Sequence, residues 1–194
     1  MKNIIVLISG NGSNLEAIIN ACKNNKINAK IDLVISNKDN AYGLVRANNN
    51  NILNIVVKYN RKIESRKEYE LRLINEIEKN TNNIDLVILA GWMLLLTPVF
   101  INKFNNKIIN LHPALPGEFP GINAIERAFI SYKNNLIKHT GVMVHYVIEE
   151  VDAGEVIDTI NVIIKPTDTL ESLTEKIHYN EKKVLISAIQ KILN

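Results

Sequence analysis

Ile4-Ile5-Val6-Leu7-Ile8-Ser9-Gly10-Asn11-Gly12-Ser13-Asn14-Leu15 opens the chain on five consecutive apolar residues that run straight into a glycine turn. A continuous branched-apolar run of this length reads as a strand, and Leu15, Ile18, Ile19 and Cys22 then recur at helical spacing. The segment is therefore strand, loop, helix, and the pattern repeats along the chain. Residues 31–35 give a second strand, 42–47 a short helix and 52–57 another apolar run. Tyr69, Leu73 and Ile77 mark the inner face of a charged helix from about residue 65 to 80. Residues 85–89 form a fourth strand whose unbroken Leu-Val-Ile-Leu implies burial on both faces. Thr97-Pro98 has the form of an N-cap followed by proline at the first helical position, opening a helix through Phe104, and residues 107–111 are the fifth strand. The alternation indicates an α/β fold, a doubly wound, mostly parallel sheet with right-handed crossovers. Past residue 135 the pattern changes. Residues 139–148 and 155–164 are two longer β segments joined by an acidic turn, as antiparallel strands would be. Asp168 and Glu171 have capping-box spacing ahead of a C-terminal helix, and with no linker between the halves residues 1–194 read as a single domain.

At 194 residues with 46% hydrophobic and 22% charged positions, the chain has the composition of a globular domain and excludes a disordered or fibrous one. The formal charge of +3 is small and dispersed, so neither nucleic acid nor a membrane surface is an expected partner, while small anions are. The longest apolar run, 87–96, is too short to span a bilayer and contains Gly91. The first apolar run lacks signal-peptide form, and the lone Cys22 requires no oxidising compartment, so a cytoplasmic location is expected.

Three places carry side chains suited to chemistry. The loop Ser9 to Asn14 lies between a strand and a helix, where backbone N–H groups and the helix dipole favour a phosphate. It is no dinucleotide loop: the third glycine of G-x-G-x-x-G would fall at Leu15, and Ser36-Asn37-Lys38 stands where an acidic residue is required, so NAD is not expected. Asn110 and His112 sit at i and i+2 where the fifth strand ends, so both face one side; an amide can stabilise an oxyanion and an imidazole can exchange protons. Asp152 can orient the imidazole if its turn folds over that strand; the alternative is that Asp-Ala-Gly is simply a good turn. Glu181 interrupts the apolar stripe Leu173, Ile177, Val184, Ala188, Ile192, and an acid on an inner face needs either an ion-pair partner or a ligand's hydroxyl groups. His139, His145 and His178 lack metal-ligand spacing and read as packing or surface residues, and no metal is expected.

Ile8 to Leu15, Gly91-Trp92-Met93 with Thr97-Pro98, Asn110-Leu111-His112-Pro113 and Val151-Asp152-Ala153-Gly154 occur in one order, and together they resemble the folate-dependent phosphoribosylglycinamide formyltransferases. The resemblance covers residues 2–190. It implies a formyltransferase Rossmann-like catalytic domain that moves a formyl group from 10-formyltetrahydrofolate, as cosubstrate, to the amine of glycinamide ribonucleotide in purine biosynthesis. By that resemblance Gly12, Ser13, Asn14 and Glu181 hold the ribonucleotide. Arg66, Met93, Leu94, Leu95, Leu96, Asn110, Ile148, Glu149, Glu150, Val151 and Asp152 meet the folate. Asn110, His112 and Asp152 are the catalytic residues. Leu94 stands where many members carry arginine or another polar residue, Ala114-Leu115-Pro116-Gly117 replaces Ser-Leu-Leu-Pro, and Met143 replaces a common threonine. The expected chemistry is attack of the neutral amine on the formyl carbon, with Asn110 and a protonated His112 donating to the oxyanion and Asp152 favouring the imidazolium. The rivals are methionyl-tRNA formyltransferase, which has a further C-terminal domain, formyltetrahydrofolate deformylase, which has an N-terminal regulatory domain, and a non-catalytic phosphoribosyl-ligand binder on the same fold. A monomer or homodimer is expected.

Overall fold

The computed structural model describes residues 1–193. The elements are β1 (Lys2–Ile8), α1 (Ser13–Lys23), β2 (Ala29–Ser36), α2 (Tyr42–Asn49), β3 (Asn54–Val56), α3 (Arg66–Asn80), β4 (Leu86–Leu89), α4 (Pro98–Lys103), β5 (Ile108–His112), α5 (Ala124–Lys133), β6 (His139–Tyr146), β7 (Val156–Ile163) and α6 (Leu170–Leu193). Strands pair in the order β3-β2-β1-β4-β5-β6-β7. The residues gather into two compact units, 1–109 with Leu193 and 110–192, and the chain passes from one to the other within β5.

In the first unit β1 pairs in parallel with both β2 and β4, and β2 with β3. The order reverses at β1: the chain winds outward to β3, then returns to place β4 on the other side of β1. Strands in the middle of such a sheet are covered on both faces, which is why Ile4 to Ile8 and Leu86 to Leu89 are apolar without alternation and nearly all fully buried. The apolar run 52–57 yields only the short β3. Helix α3 begins with a capping box in which the Ser65 hydroxyl accepts from the Glu68 N–H and the Glu68 carboxylate accepts from the Ser65 N–H, and it buries Tyr69, Leu73 and Ile77 as their spacing requires.

In the second unit β6 and β7 are antiparallel. Their loop closes at Gly154, where a Cβ would lie 1.8 Å from the Tyr146 carbonyl oxygen, so only glycine fits. Two local expectations differ, and one element is additional. Helix α5 follows the Pro- and Gly-rich stretch after β5, where the sequence reading assigns no element, and it buries Ala124 and Ala128. The cap of α6 is a reciprocal pair one residue later than the Asp168 and Glu171 spacing suggests: the Thr169 hydroxyl accepts from the Ser172 N–H, and the Ser172 hydroxyl accepts from the Thr169 N–H. Asp168 instead accepts from the Lys165 N–H and the Lys176 ammonium. The hydroxyl of Thr97, the expected cap of α4, is likewise diverted, to the buried carboxylate of Glu70.

Candidate active site

The carboxyl ends of β1 and β4 flank the point where strand order reverses in the first unit, the place where open α/β sheets bind ligands. Two loops meet there. The Ser9 N–H donates to the Gly91 carbonyl (3.0 Å), and the Met93 N–H donates to the Ser9 hydroxyl (2.9 Å). Gly12 is the N-cap of α1 with φ +74°, and no side chain caps the helix, so the dipole end of α1 is left for an anion. The Gly43 N–H donates to the Gly10 carbonyl, and Gly12 packs so closely on Gly43 that a Cβ at residue 12 would lie 2.5 Å from the Gly43 Cα. Arg46 of α2 fixes the loop tip by donating to the Asn11 carbonyl and side chain, and pairs with Glu16.

Beside this loop Arg66 donates from Nε and Nη2 to the Leu95 carbonyl (3.0 and 2.5 Å) and lies 4.8 Å over the Tyr59 ring. Glu70, fully buried, accepts from the Thr97 N–H and hydroxyl and faces Arg66 at 3.8 Å. Arg66 and the buried Glu70, one turn apart on α3, therefore hold the segment at Leu95 and at Thr97. Met93 and Leu95 project outward, 69% and 67% exposed, while the Arg66 Nη1 and Trp92 Nε1 donors are buried without a hydrogen-bond partner among the described residues.

In the second unit the end of β5, the end of β6 and the β6–β7 loop assemble a cluster of four polar side chains. The Asn110 amide donates to Asp152 Oδ1 (3.1 Å) and lies 3.3 Å from His145 Nε2. His112, 4% exposed, places Nδ1 3.3 Å from Asp152 Oδ2 and Nε2 3.1 Å from the Phe119 carbonyl. Asp152 adopts φ +54° and accepts from the Gly121 N–H (2.8 Å). Burial pushes the His112 pKa below its ordinary value, and the neighbouring Asp152 only partly opposes it. Burial thus works against the imidazolium that the sequence reading expects at this ring, while acceptors at both of its nitrogens favour it. Burial works to raise the Asp152 carboxyl, but hydrogen bonds from His145 and Gly121 and the charge interaction with His112 outweigh it, and the group ionises below the ordinary carboxylate range.

A model of the formyl transferase family matches residues 2–189. The chain belongs to that family. It is 51% identical over 199 residues to a phosphoribosylglycinamide formyltransferase of Dictyostelium discoideum, covering 97% of this chain and 96% of that protein. It is 46% identical over 204 residues to the enzyme of the same name from Schizosaccharomyces pombe, covering 100% and 98%. A crystal structure of phosphoribosylglycinamide formyltransferase from Bacillus halodurans superposes with a TM-score of 0.91 at 33% identity, covering 100% of this chain and 96% of that one.

This formyl transferase brings Asn110, His112 and Asp152 into direct contact, although Asp152 lies forty residues beyond His112. Glu181, on the inner face of α6, is buried and meets His178 one turn earlier (3.0 Å); that bond raises the His178 pKa. Ile148 and Val151 are exposed, as are Glu149 and Glu150. His145 departs from its reading as a packing residue. It is 2% exposed, its Nδ1 meets the Tyr146 carbonyl (2.9 Å), and its Nε2 faces both Asn110 and Asp152. Its period-2 alternation with Met143 on β6 carries no sign of that role. Arg46 and Glu70 were also outside the sequence reading; an acid at position 70, three and four residues before the apolar Leu73 and Ile74 of the same helix, was the available signal.

Proposed function

We propose that this chain is a phosphoribosylglycinamide formyltransferase, taking the formyl group of 10-formyltetrahydrofolate to the amine of glycinamide ribonucleotide. The observation that carries the reading is the Asn110, His112 and Asp152 contact cluster in a chain matched by the formyl transferase family over nearly its whole length. The uncapped α1 terminus with Gly12, Ser13 and Asn14 supports phosphate binding, and the buried Glu181 carboxylate supports binding of ribose hydroxyls. For the folate, the exposed Met93 and Leu95, the half-buried Leu94 and Leu96, and the exposed Ile148 and Val151 provide apolar surface. Arg66 Nη1 provides an unpartnered donor, and the backbone of 148–152 provides polar groups.

Attack of the neutral amine on the formyl carbon gives a tetrahedral intermediate whose oxygen becomes negative, and preplaced donors lower that barrier. The Asn110 amide has one N–H on Asp152 and a second facing His145 at a length, 3.3 Å, that an oxyanion readily replaces. His112 starts neutral. The developing negative charge, added to that of Asp152, favours the imidazolium, so His112 takes the excess proton of the amine and delivers it to the departing folate nitrogen. Its two nitrogens already face acceptors, the Asp152 carboxylate and the Phe119 carbonyl, so the ring that gains a proton finds both N–H groups bonded.

Incubation of the purified protein with both substrates tests this. Folate turnover is expected only with glycinamide ribonucleotide present, without added metal or nicotinamide; equal turnover with water alone supports the deformylase instead. Residues 1–194 acting as one catalytic domain in the cytoplasm, as a monomer or homodimer and without nucleic-acid or membrane partners, complete the proposal.

A further inference from the structure

Between β5 and α5 the chain takes an irregular path through Gly117, Phe119, Gly121 and Asn123, all at positive φ; for Phe119, at +45°, that conformation is strained. Two backbone groups of this loop touch the cluster: the Phe119 carbonyl faces His112 Nε2, and the Gly121 N–H donates to Asp152 Oδ2. Arg127, one turn into α5, holds the same loop. Its Nη1 donates to the Pro120 carbonyl (2.7 Å) and the Ile122 carbonyl (3.2 Å), and its guanidinium lies 5.7 Å from the Phe119 ring centroid. Among the described residues no carboxylate pairs with Arg127, so its charge is directed at loop carbonyls.

The carbonyl of Pro120 and the N–H of Gly121 belong to one peptide unit. A cation on its oxygen and a carboxylate on its nitrogen polarise that unit in the same direction, so each bond strengthens the other. We propose that Arg127 is a positioning residue for formyl transfer, which orients and stabilises the Asp152 carboxylate against His112 through the Pro120–Gly121 peptide. Asp152 is faced by Asn110 and His112 from β5, His145 from β6 and the Gly121 N–H; Glu149 and Glu150 on its own loop are exposed. His112 is faced by Asp152 and His145 and by the backbone of Glu118 and Phe119. Of the groups that bond Asp152 directly, the Gly121 N–H belongs to the peptide that Arg127 holds, so the effect of losing Arg127 has a defined direction: the Asp152 carboxylate becomes easier to protonate.

The kinetic part of this proposal rests on the formyl-transfer reading, and the spectroscopic part does not. Arg127→Met keeps the side-chain volume and removes charge and donors; Arg127→Lys keeps the charge. In the Met variant kcat is expected to fall roughly 10-fold with KM for either substrate little changed, and the acid limb of the kcat/KM profile to move to higher pH. The amide proton of Gly121 is expected to move upfield, and the Lys variant to recover most of all three. Arg127→Gln, a neutral donor, is expected to shift the limb and the amide in the Met direction by less. A folded Met or Gln variant whose Gly121 amide and acid limb stay at wild-type positions, or Lys and Met variants that behave alike, overturns the linkage. If wild-type protein fails to formylate glycinamide ribonucleotide, the functional reading falls while the Gly121 amide shift still decides the Arg127 linkage.

Discussion

Gly12 is the position where function and packing make competing demands, and Gly12→Ala separates them. The residue has φ +74°, where an L side chain costs about 1–2 kcal/mol. The new Cβ would also stand 2.5 Å from the Gly43 Cα, a backbone atom that can yield only if α1 and α2 move apart. Forced overpacking of this kind costs about 1–3 kcal/mol. The two effects together predict about 2–5 kcal/mol of destabilisation, and for a chain of this size a Tm lower by about 4–20 °C. Gly10→Ala is the control, since nothing lies within 4 Å of its Cβ position and its φ is not in the left-handed region; its stability is expected to stay within about 0.5 kcal/mol of wild type. Urea titration and thermal melts of both variants read the stability. Calorimetry with glycinamide ribonucleotide at a temperature where Gly12→Ala remains folded reads the binding, which is expected to weaken as the loop shifts. A Gly12→Ala protein within about 1 kcal/mol of wild type would refute the close Gly12–Gly43 packing, and with it the view that this packing sets the phosphate loop.

Asp152→Asn is expected to lower kcat by about 10²–10³ and to move the His112 pKa further down, because Asp152 is the charge that opposes its burial; NMR titration and single-turnover rates check both. The double variant with His112→Ala is expected to lose much less than the product of the single losses, since the two act as a unit. The stability contributed by the Asp152 carboxylate is present above the ordinary carboxylate range and disappears as pH falls through its depressed native value, so Asp152→Asn is expected to flatten the acid side of the unfolding curve. Glu181→Ala is expected to weaken glycinamide ribonucleotide more than an analogue lacking the ribose hydroxyls, and to return the His178 pKa downward, because the Glu181 bond is what raises it. Equal loss for both ligands would make Glu181 a structural partner of His178 only.

The alternation of strands and helices was legible because backbone periodicity is local. Five apolar residues in a row at 4–8 suffice for a strand covered on both faces, and i, i+4, i+8 spacing at Tyr69, Leu73 and Ile77 suffices for one face of a helix. The shared side of Asn110 and His112 was legible for the same reason, since residues two apart on a strand cannot point oppositely. Helix α5 has a helical period as well, Ala124 and Ala128 being one turn apart on its buried face, but the Pro- and Gly-rich stretch ahead of it carries no helix-start signal. What depends on which loop lies over which strand was not legible. His145 meets Asn110 from the neighbouring strand β6 and Asp152 meets it from the β6–β7 loop, while Arg127 holds a loop in which Phe119, against its propensity, takes positive φ. The downward direction of the His112 pKa is of this kind too. Sequence supplies a carboxylate that raises its pKa, and only tertiary structure supplies the burial that lowers it more, since desolvation depends on the protein surrounding the ring and not on its neighbours in the chain.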